Sequence, residues 1–216
     1  MFKTLMMTLV IVASASIAAA QSDYKRFEFF GGYSHNRIDT GIGDDDPDLG
    51  DIIDEREGFN GFNASVTGNL SRYFGLKFDV SGHYKSRTVP LFSIASPTPN
   101  GSVDINSSVY NFLGGVQLKD NSTESTFKPF AHALVGAAHG RNRVEFNNIA
   151  CVAIFPSPCS DFTASDTGFA GAFGGGIDIR ASNSIDIRVI QVDYNPTRLF
   201  DSTQHNFRIG VGVVFH

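Results

Sequence analysis

Between Tyr73 and Lys85 the chain alternates with a period of two, and no other feature of its 216 residues restricts the fold as strongly. Phe74, Leu76, Phe78, Val80, Gly82 and Tyr84 fall on one side, and Gly75, Lys77, Asp79, Ser81, His83 and Lys85 on the other. Successive side chains of a β-strand point to opposite faces, so this strand is oily on one face and ionic on the other. Glycine (22) and phenylalanine (20) are abundant and tryptophan is absent, a bias that favours many short strands over helices.

Seven more segments follow the same reading: 26–36, 59–70, 107–119, 127–138, 167–180, 184–194 and 205–216. The segment 127–138 is apolar on both faces, which leaves its orientation open. The segment 184–194 slips phase near Ile190, as a β-bulge would require. Eight strands of roughly 9–11 residues suit a tilted membrane crossing. The links at 37–58, 86–106, 139–166 and 195–204 read as long and polar, while those near 71–72, 120–126 and 181–183 are short. Long and short links alternating along an even-stranded meander predict an all-β fold, a closed eight-stranded antiparallel up-and-down transmembrane β-barrel with short periplasmic turns and long outside loops.

The first twenty residues read as a secretory signal peptide, with Lys3 ahead of an apolar run and Ala18-Ala19-Ala20 as the cleavage site. The expected division is a leader over 1–20, cleaved after Ala20, and one barrel domain over 21–216, placed in the cell outer membrane. Cys151 and Cys159 flank a segment with two prolines, and an even cysteine count in an exported chain predicts a disulfide. The formal charge is −5 and becomes −6 once Lys3 leaves with the leader, which argues against a nucleic-acid partner.

The run Asn63-Ala64-Ser65-Val66-Thr67-Gly68-Asn69-Leu70 into Arg72-Tyr73-Phe74-Gly75-Leu76 resembles the second-hairpin signature of small bacterial outer-membrane β-barrel domain proteins, the OmpA/OmpX-like group. Pro129-Phe130-Ala131-His132-Ala133-Leu134, Gln191-Val192-Asp193-Tyr194 and Phe207-Arg208-Ile209-Gly210-Val211-Gly212 are similar to that group as well. The resemblance covers residues 26–216. It implies an integral barrel serving envelope integrity or surface interaction, with outer-membrane lipid and lipopolysaccharide as surroundings. It also implies barrel-assembly machinery that reads a terminal aromatic, here Phe215 followed by His216.

The polar strand faces carry Glu28, Asp79, Asp178, Asp186 and Asp193 against Lys77, Lys85, Lys119, Arg180, Arg188 and Arg208. Near balance inside a lumen predicts an interlocking charge network, because unpaired buried charge is costly. An eight-stranded barrel is just wide enough for side chains to fill it, so a nutrient-sized pore is excluded and a narrow ion path is the alternative. In the acidic loop 37–58, Asp44, Asp46, Asp48 and Glu55 match calcium-loop positions, but Leu49 stands where the turn needs glycine, so no metal is assigned. Asp79, Ser81 and His83 share one strand face at ~7 Å spacing, too far for a triad within one strand. A lipid-modifying enzyme would need a partner such as Ser34, His35 or His205. No catalytic residue and no cofactor is assigned. The outside loops, above all 139–166, are the expected contact surface for a ligand or partner.

Overall fold

A computed structural model describes residues 24–39, 56–92, 99–147 and 160–216. The leader, Cys151 and Cys159, and the acidic positions 44–55 lie outside the described residues. The strands are β1 (Phe27–Asp39), β2 (Arg56–Asn69), β3 (Phe74–Phe92), β4 (Pro99–Lys119), β5 (Phe127–Asn147), β6 (Phe162–Arg180), β7 (Ile185–Leu199) and β8 (Ser202–Phe215). Each pairs antiparallel with the next, and β8 pairs with β1, so the sheet is a closed barrel. A circuit of paired residues leaves β1 at Phe27 and passes Gly68, Leu76, Val116, Ala133, Phe173, Tyr194 and Phe207. It re-enters β1 at Arg37, ten residues further along. That stagger is the shear a barrel needs to close, and it goes with a strand tilt of ~35–45°.

The oily faces point outward. Phe29, Phe78, Phe112, Phe173, Ile187 and Ile209 are all exposed, as are Tyr73 and Phe127 near one rim and Tyr33 and Tyr84 near the other. From Phe74 to Tyr84 the outward row of β3 covers ten steps of ~3.3 Å. Tilted, that gives a band of about 25 Å, the height of the apolar belt on a membrane barrel. Gly82 in this row is roofed by its cross-strand neighbour: a Cβ there would come within 2.7 Å of the Phe62 ring. The ring covers backbone that would otherwise face lipid bare.

The phase slip expected near Ile190 is a bulge. The β7–β8 register shifts between Arg188 and Gln191, and Val189 and Ile190 both face outward at 48% and 43% exposure. The slip lets Arg188 and Gln191 both point inward, where the site below uses them.

At the outside rim the links differ from their expected lengths. β3, β4, β5 and β6 run well past the belt into 86–106 and 139–166. β2–β3 pairing stops at Asn60 and Tyr84, while β3–β4 pairing continues to Phe92 and Pro99. β6 meets β7 only from Ala170 and Thr197 inward. Four strands therefore rise as a blade above the rest. There both faces meet water, so the alternation disappears while the backbone ladder persists. Polar pairs stitch the blade, such as Ser86 Oγ donating to Asn106 Oδ1 (2.7 Å) and Thr88 Oγ1 donating to Asp104 Oδ1 (2.6 Å). The expected fourth long loop, 195–204, is a two-residue hairpin turn at Phe200-Asp201, both at positive φ (53° and 60°).

Candidate functional site

The interior is built in layers along the barrel axis, counted from the short-turn rim. In the first layer Lys119 Nζ lies 3.0 Å from Glu28 Oε2 and 2.8 Å from Asp178 Oδ2. Glu28 also accepts from Asn69 (3.2 Å) and Gln117 (3.4 Å). Lys128 Nζ and His216 Nε2 both reach Asp186 Oδ2, at 2.9 and 2.8 Å. Arg188 grips Asp178 with two bonds, Nε to Oδ1 at 2.8 Å and Nη2 to Oδ2 at 3.1 Å. Its guanidinium lies between two rings, 4.2 Å from the centroid of Phe30 and 4.0 Å from that of Phe130. Such stacking suits arginine, whose flat cation is weakly hydrated.

Gln191 joins this layer to the next. Its Oε1 accepts from Arg188 Nη1 (2.7 Å), and its Nε2 donates to Asp193 Oδ2 (2.7 Å). Arg208 spans the lumen, from Asp193 Oδ2 (2.7 Å) on β7 to Asp79 Oδ1 (3.0 Å) on β3. Asn63 Nδ2 donates to Asp79 Oδ2 (2.8 Å). His132 Nε2 stands 2.9 Å from Asp193 Oδ1, a close contact without hydrogen-bond alignment. Among the described residues Lys77 finds no carboxylate at ion-pair distance. It meets His132 Nδ1 at 3.4 Å and lies over the Phe130 ring at 5.5 Å. The chain of contacts from Asp186 to Asn63 draws a side chain from every strand.

One sequence assignment needs correcting. Arg180, the last residue of β6, is not in the network: its guanidinium donates to the Thr123 carbonyl in the turn after β4. Lys85 faces inward but stands near the outside rim, lining a cavity there. Alternation tells which face a residue takes and not how far along the axis it sits. The residues the alternation left unplaced are Lys128 and His132, because β5 hides its polar face among Phe130, Leu134 and Ala138. Among the described residues the buried acids and the buried Lys and Arg number five each. Two inward glycines of β6 make room for this traffic. A Cβ on Gly174 would come within 2.7 Å of Asp193 Cα, and one on Gly176 within 2.9 Å of the Phe130 ring.

Asp79, Ser81 and His83 do not converge. Asp79 serves Arg208, Ser81 Oγ accepts from Asn111 Nδ2 (3.2 Å), and His83 Nε2 hydrogen-bonds Ser34 Oγ (2.9 Å). The Ser34–His83 pair is fully buried, and among the described residues His83 Nδ1 has no partner, so none of their carboxylates orients the imidazole. Beside it, on the β4–β7 side of the lumen, packs an apolar cluster of Leu113, Leu134, Ala138, Ala170, Ala172 and Leu199, with Val109 against it. Leu113 stands in register with Asp79 and Val109 with His83. Toward the outside rim a cavity of ≈ 510 Å³ opens.

Comparison with solved structures gives the same fold. Ail, the attachment invasion locus protein of Yersinia pestis, in complex with the heparin analogue sucrose octasulfate, is similar at 16% identity and a TM-score of 0.54. The match covers 88% of this chain and 97% of Ail. Neisserial surface protein A is similar at 10% identity and a TM-score of 0.46, with 90% and 99% of the two chains covered. The β-barrel domain of OprF from Pseudomonas aeruginosa stands at 10% identity and 0.39, with 89% and 98% covered. A sequence comparison with curated proteins finds no match. The model of the outer membrane protein beta-barrel domain family matches residues 6–215. With its closed barrel, oily exterior and charged interior, this chain belongs to the outer membrane protein beta-barrel domain family.

Proposed function

We propose that this barrel is a sealed, non-enzymatic component of the outer membrane, serving envelope integrity or surface interaction through its outside face. The observation that carries the reading is the filled interior: a continuous charge network packed beside an apolar cluster, with Leu113, Leu134, Asn36, Asn111 and Asn195 all fully buried. A water-filled conduction path needs open space along its whole length, and these buried side chains fill the middle of the lumen. The Ser34–His83 pair lies where no lipid could approach it, which counts against a lipid-modifying enzyme.

In this reading the chain is exported, loses its leader after Ala20 and is inserted by the assembly machinery with Phe215 as the terminal aromatic. The Cys151–Cys159 bridge would brace the outside segment between β5 and β6. The outward side of the blade carries Arg141 and Arg143 beside Ser86, Asn106 and Ser108 around a shallow depression. Its basic character fits an anionic surface partner, including lipopolysaccharide phosphate. The polyanion bound to Ail is consistent with that chemistry on a barrel of this fold.

Planar-bilayer recording of the refolded protein tests the central claim. The expected result is no discrete conductance. Reproducible steps that change with Arg188→Ala or Asp193→Ala would replace this reading with a narrow ion channel, and altered lipid A in expressing cells would replace it with an enzyme.

A further inference from the structure

The outside-facing cavity is not accounted for by a sealed structural barrel. It holds ≈ 510 Å³, within the ~300–1,000 Å³ typical of small-molecule sites. It shares Leu199 and Val109 with the apolar cluster of the lumen. Its walls are mainly apolar, with Ile38, Phe59, Ile105, Val144 and Phe200 prominent. Polar residues line it as well, and the charge among them is mostly basic, with Lys85, Arg87 and Arg141 all present. Lys85 and Arg87 enter from β3 against a single acid, Glu57, which Arg87 engages at 3.2 Å. Lys85 makes no ion pair among the described residues. The half-buried Lys85 ammonium therefore keeps its charge available to an anion that enters.

Phe200 adds an independent observation. It occupies the first central position of the β7–β8 turn at φ 53°, where Asn or Gly is favoured and a bulky side chain is strained. Its amide donates to Asp166 Oδ2 (2.5 Å), which holds the turn against β6. Retained strain of this kind collects at ligand sites. Here it places an aromatic ring on the cavity wall.

We propose that the cavity is a binding site for a medium-chain amphiphile with one anionic head, a fatty carboxylate being the simplest. The chain lies against Ile105, Phe59 and Phe200 with its end on Leu199, and the carboxylate meets Lys85. The filled lumen below it makes this a terminal site and not a passage. The proposal goes beyond the sealed-barrel reading and does not depend on it, because binding is measured without reference to conductance.

The test is displacement of a fluorescent fatty acid by dodecanoate from the full chain in lipid nanodiscs, with folding of each variant checked by heat-modifiable gel mobility. Dodecanoate should bind saturably at one site per barrel. Ile105→Trp fills the cavity and should weaken binding at least tenfold. Ser107→Trp, on the same wall, replaces it if that variant does not fold. Lys85→Gln should weaken dodecanoate about five- to tenfold while leaving dodecanol unchanged, and dodecanol should bind the wild type more weakly than dodecanoate. Absence of saturable binding overturns the site. Equal binding in wild type and the folded tryptophan variant also overturns it, because the probe is then in the bilayer or elsewhere. Equal affinity for dodecanoate and dodecanol, insensitive to Lys85→Gln, overturns the anionic head.

Discussion

The two halves of the barrel interior are closed by different physics. Toward the short turns, paired charges fill the lumen, each acid held by a named cation or amide, as Glu28 is by Lys119, Asn69 and Gln117. Toward the outside, an apolar cluster on one side and uncharged polar side chains such as Asn36, Asn111 and Asn195 on the other close it, and above them space remains. Charge pairs inside a barrel are stiff because each partner would be costly to leave alone. Alanines and leucines impose no such pairing, so the lumen can end in a cavity. One half specifies the barrel, and the other is free to accept something.

The sharpest way to break that contrast is to remove a central cation. Arg208→Ala strands Asp79 and Asp193 in a buried site and should destabilise the barrel by about 3–5 kcal/mol, read as a lower urea midpoint for loss of the fast-migrating folded band. Replacing the trio together, as Arg208→Met with Asp79→Asn and Asp193→Asn, should recover most of the loss. If the triple variant is as unstable as the single one, the network matters for shape and not for charge. Leu134→Ala attacks the other half and should cost about 2–3 kcal/mol.

The same contrast explains what could be read from the residues alone. Where one face meets lipid and the other a charged lumen, alternation is stark, and the outward and inward sets of β1, β2, β3 and β8 follow directly. Even the β7 bulge is visible, because Val189 and Ile190 break phase between Arg188 and Gln191. In β5 the lumen face itself turns apolar at Phe130, Leu134 and Ala138, so the signal fades and Lys128 and His132 vanish with it. In the blade both faces are wet, and strand looks like loop. Axial position was never legible: Lys85 and Arg180 share a period with Asp79 and Asp178 yet sit at opposite rims. The outside cavity depends on that missing coordinate and on a turn whose residues, Phe200-Asp201, do not advertise themselves as a turn.

That turn offers a gentler perturbation. Phe200→Asn with Asp201→Gly supplies the residues that positive φ prefers and should stabilise the barrel by about 1 kcal/mol. The same change removes one wall of the cavity, so dodecanoate affinity should fall while the urea midpoint rises. Stability and binding moving in the same direction would mean that the strain at Phe200 serves neither the cavity nor its occupant.

The smallest expected effect comes from one arginine–aspartate geometry in two settings. Arg72 binds Asp120 through Nε to Oδ1 at 2.8 Å and Nη2 to Oδ2 at 3.1 Å, the distances at which Arg188 holds Asp178. One pair sits in water at the short-turn rim and the other between two phenylalanine rings. The hydrogen bond from Arg72 is the main reason the Asp120 carboxyl lies well below its ordinary value of 3.8, helped by the Ser122 amide and the Ser125 hydroxyl. A depressed folded pKa contributes stability that is fully present above 3.8 and is lost as pH falls through the folded value. Arg72→Ala should therefore raise the Asp120 titration midpoint toward 3.8, seen by carboxyl NMR in micelles, while the urea midpoint at neutral pH barely moves because water screens the pair. Arg188→Ala should instead match Arg208→Ala in its cost. If Arg72→Ala proved as damaging as Arg188→Ala, burial would not be what separates the two pairs, and the short-turn rim would have to be counted as part of the barrel's structural lock.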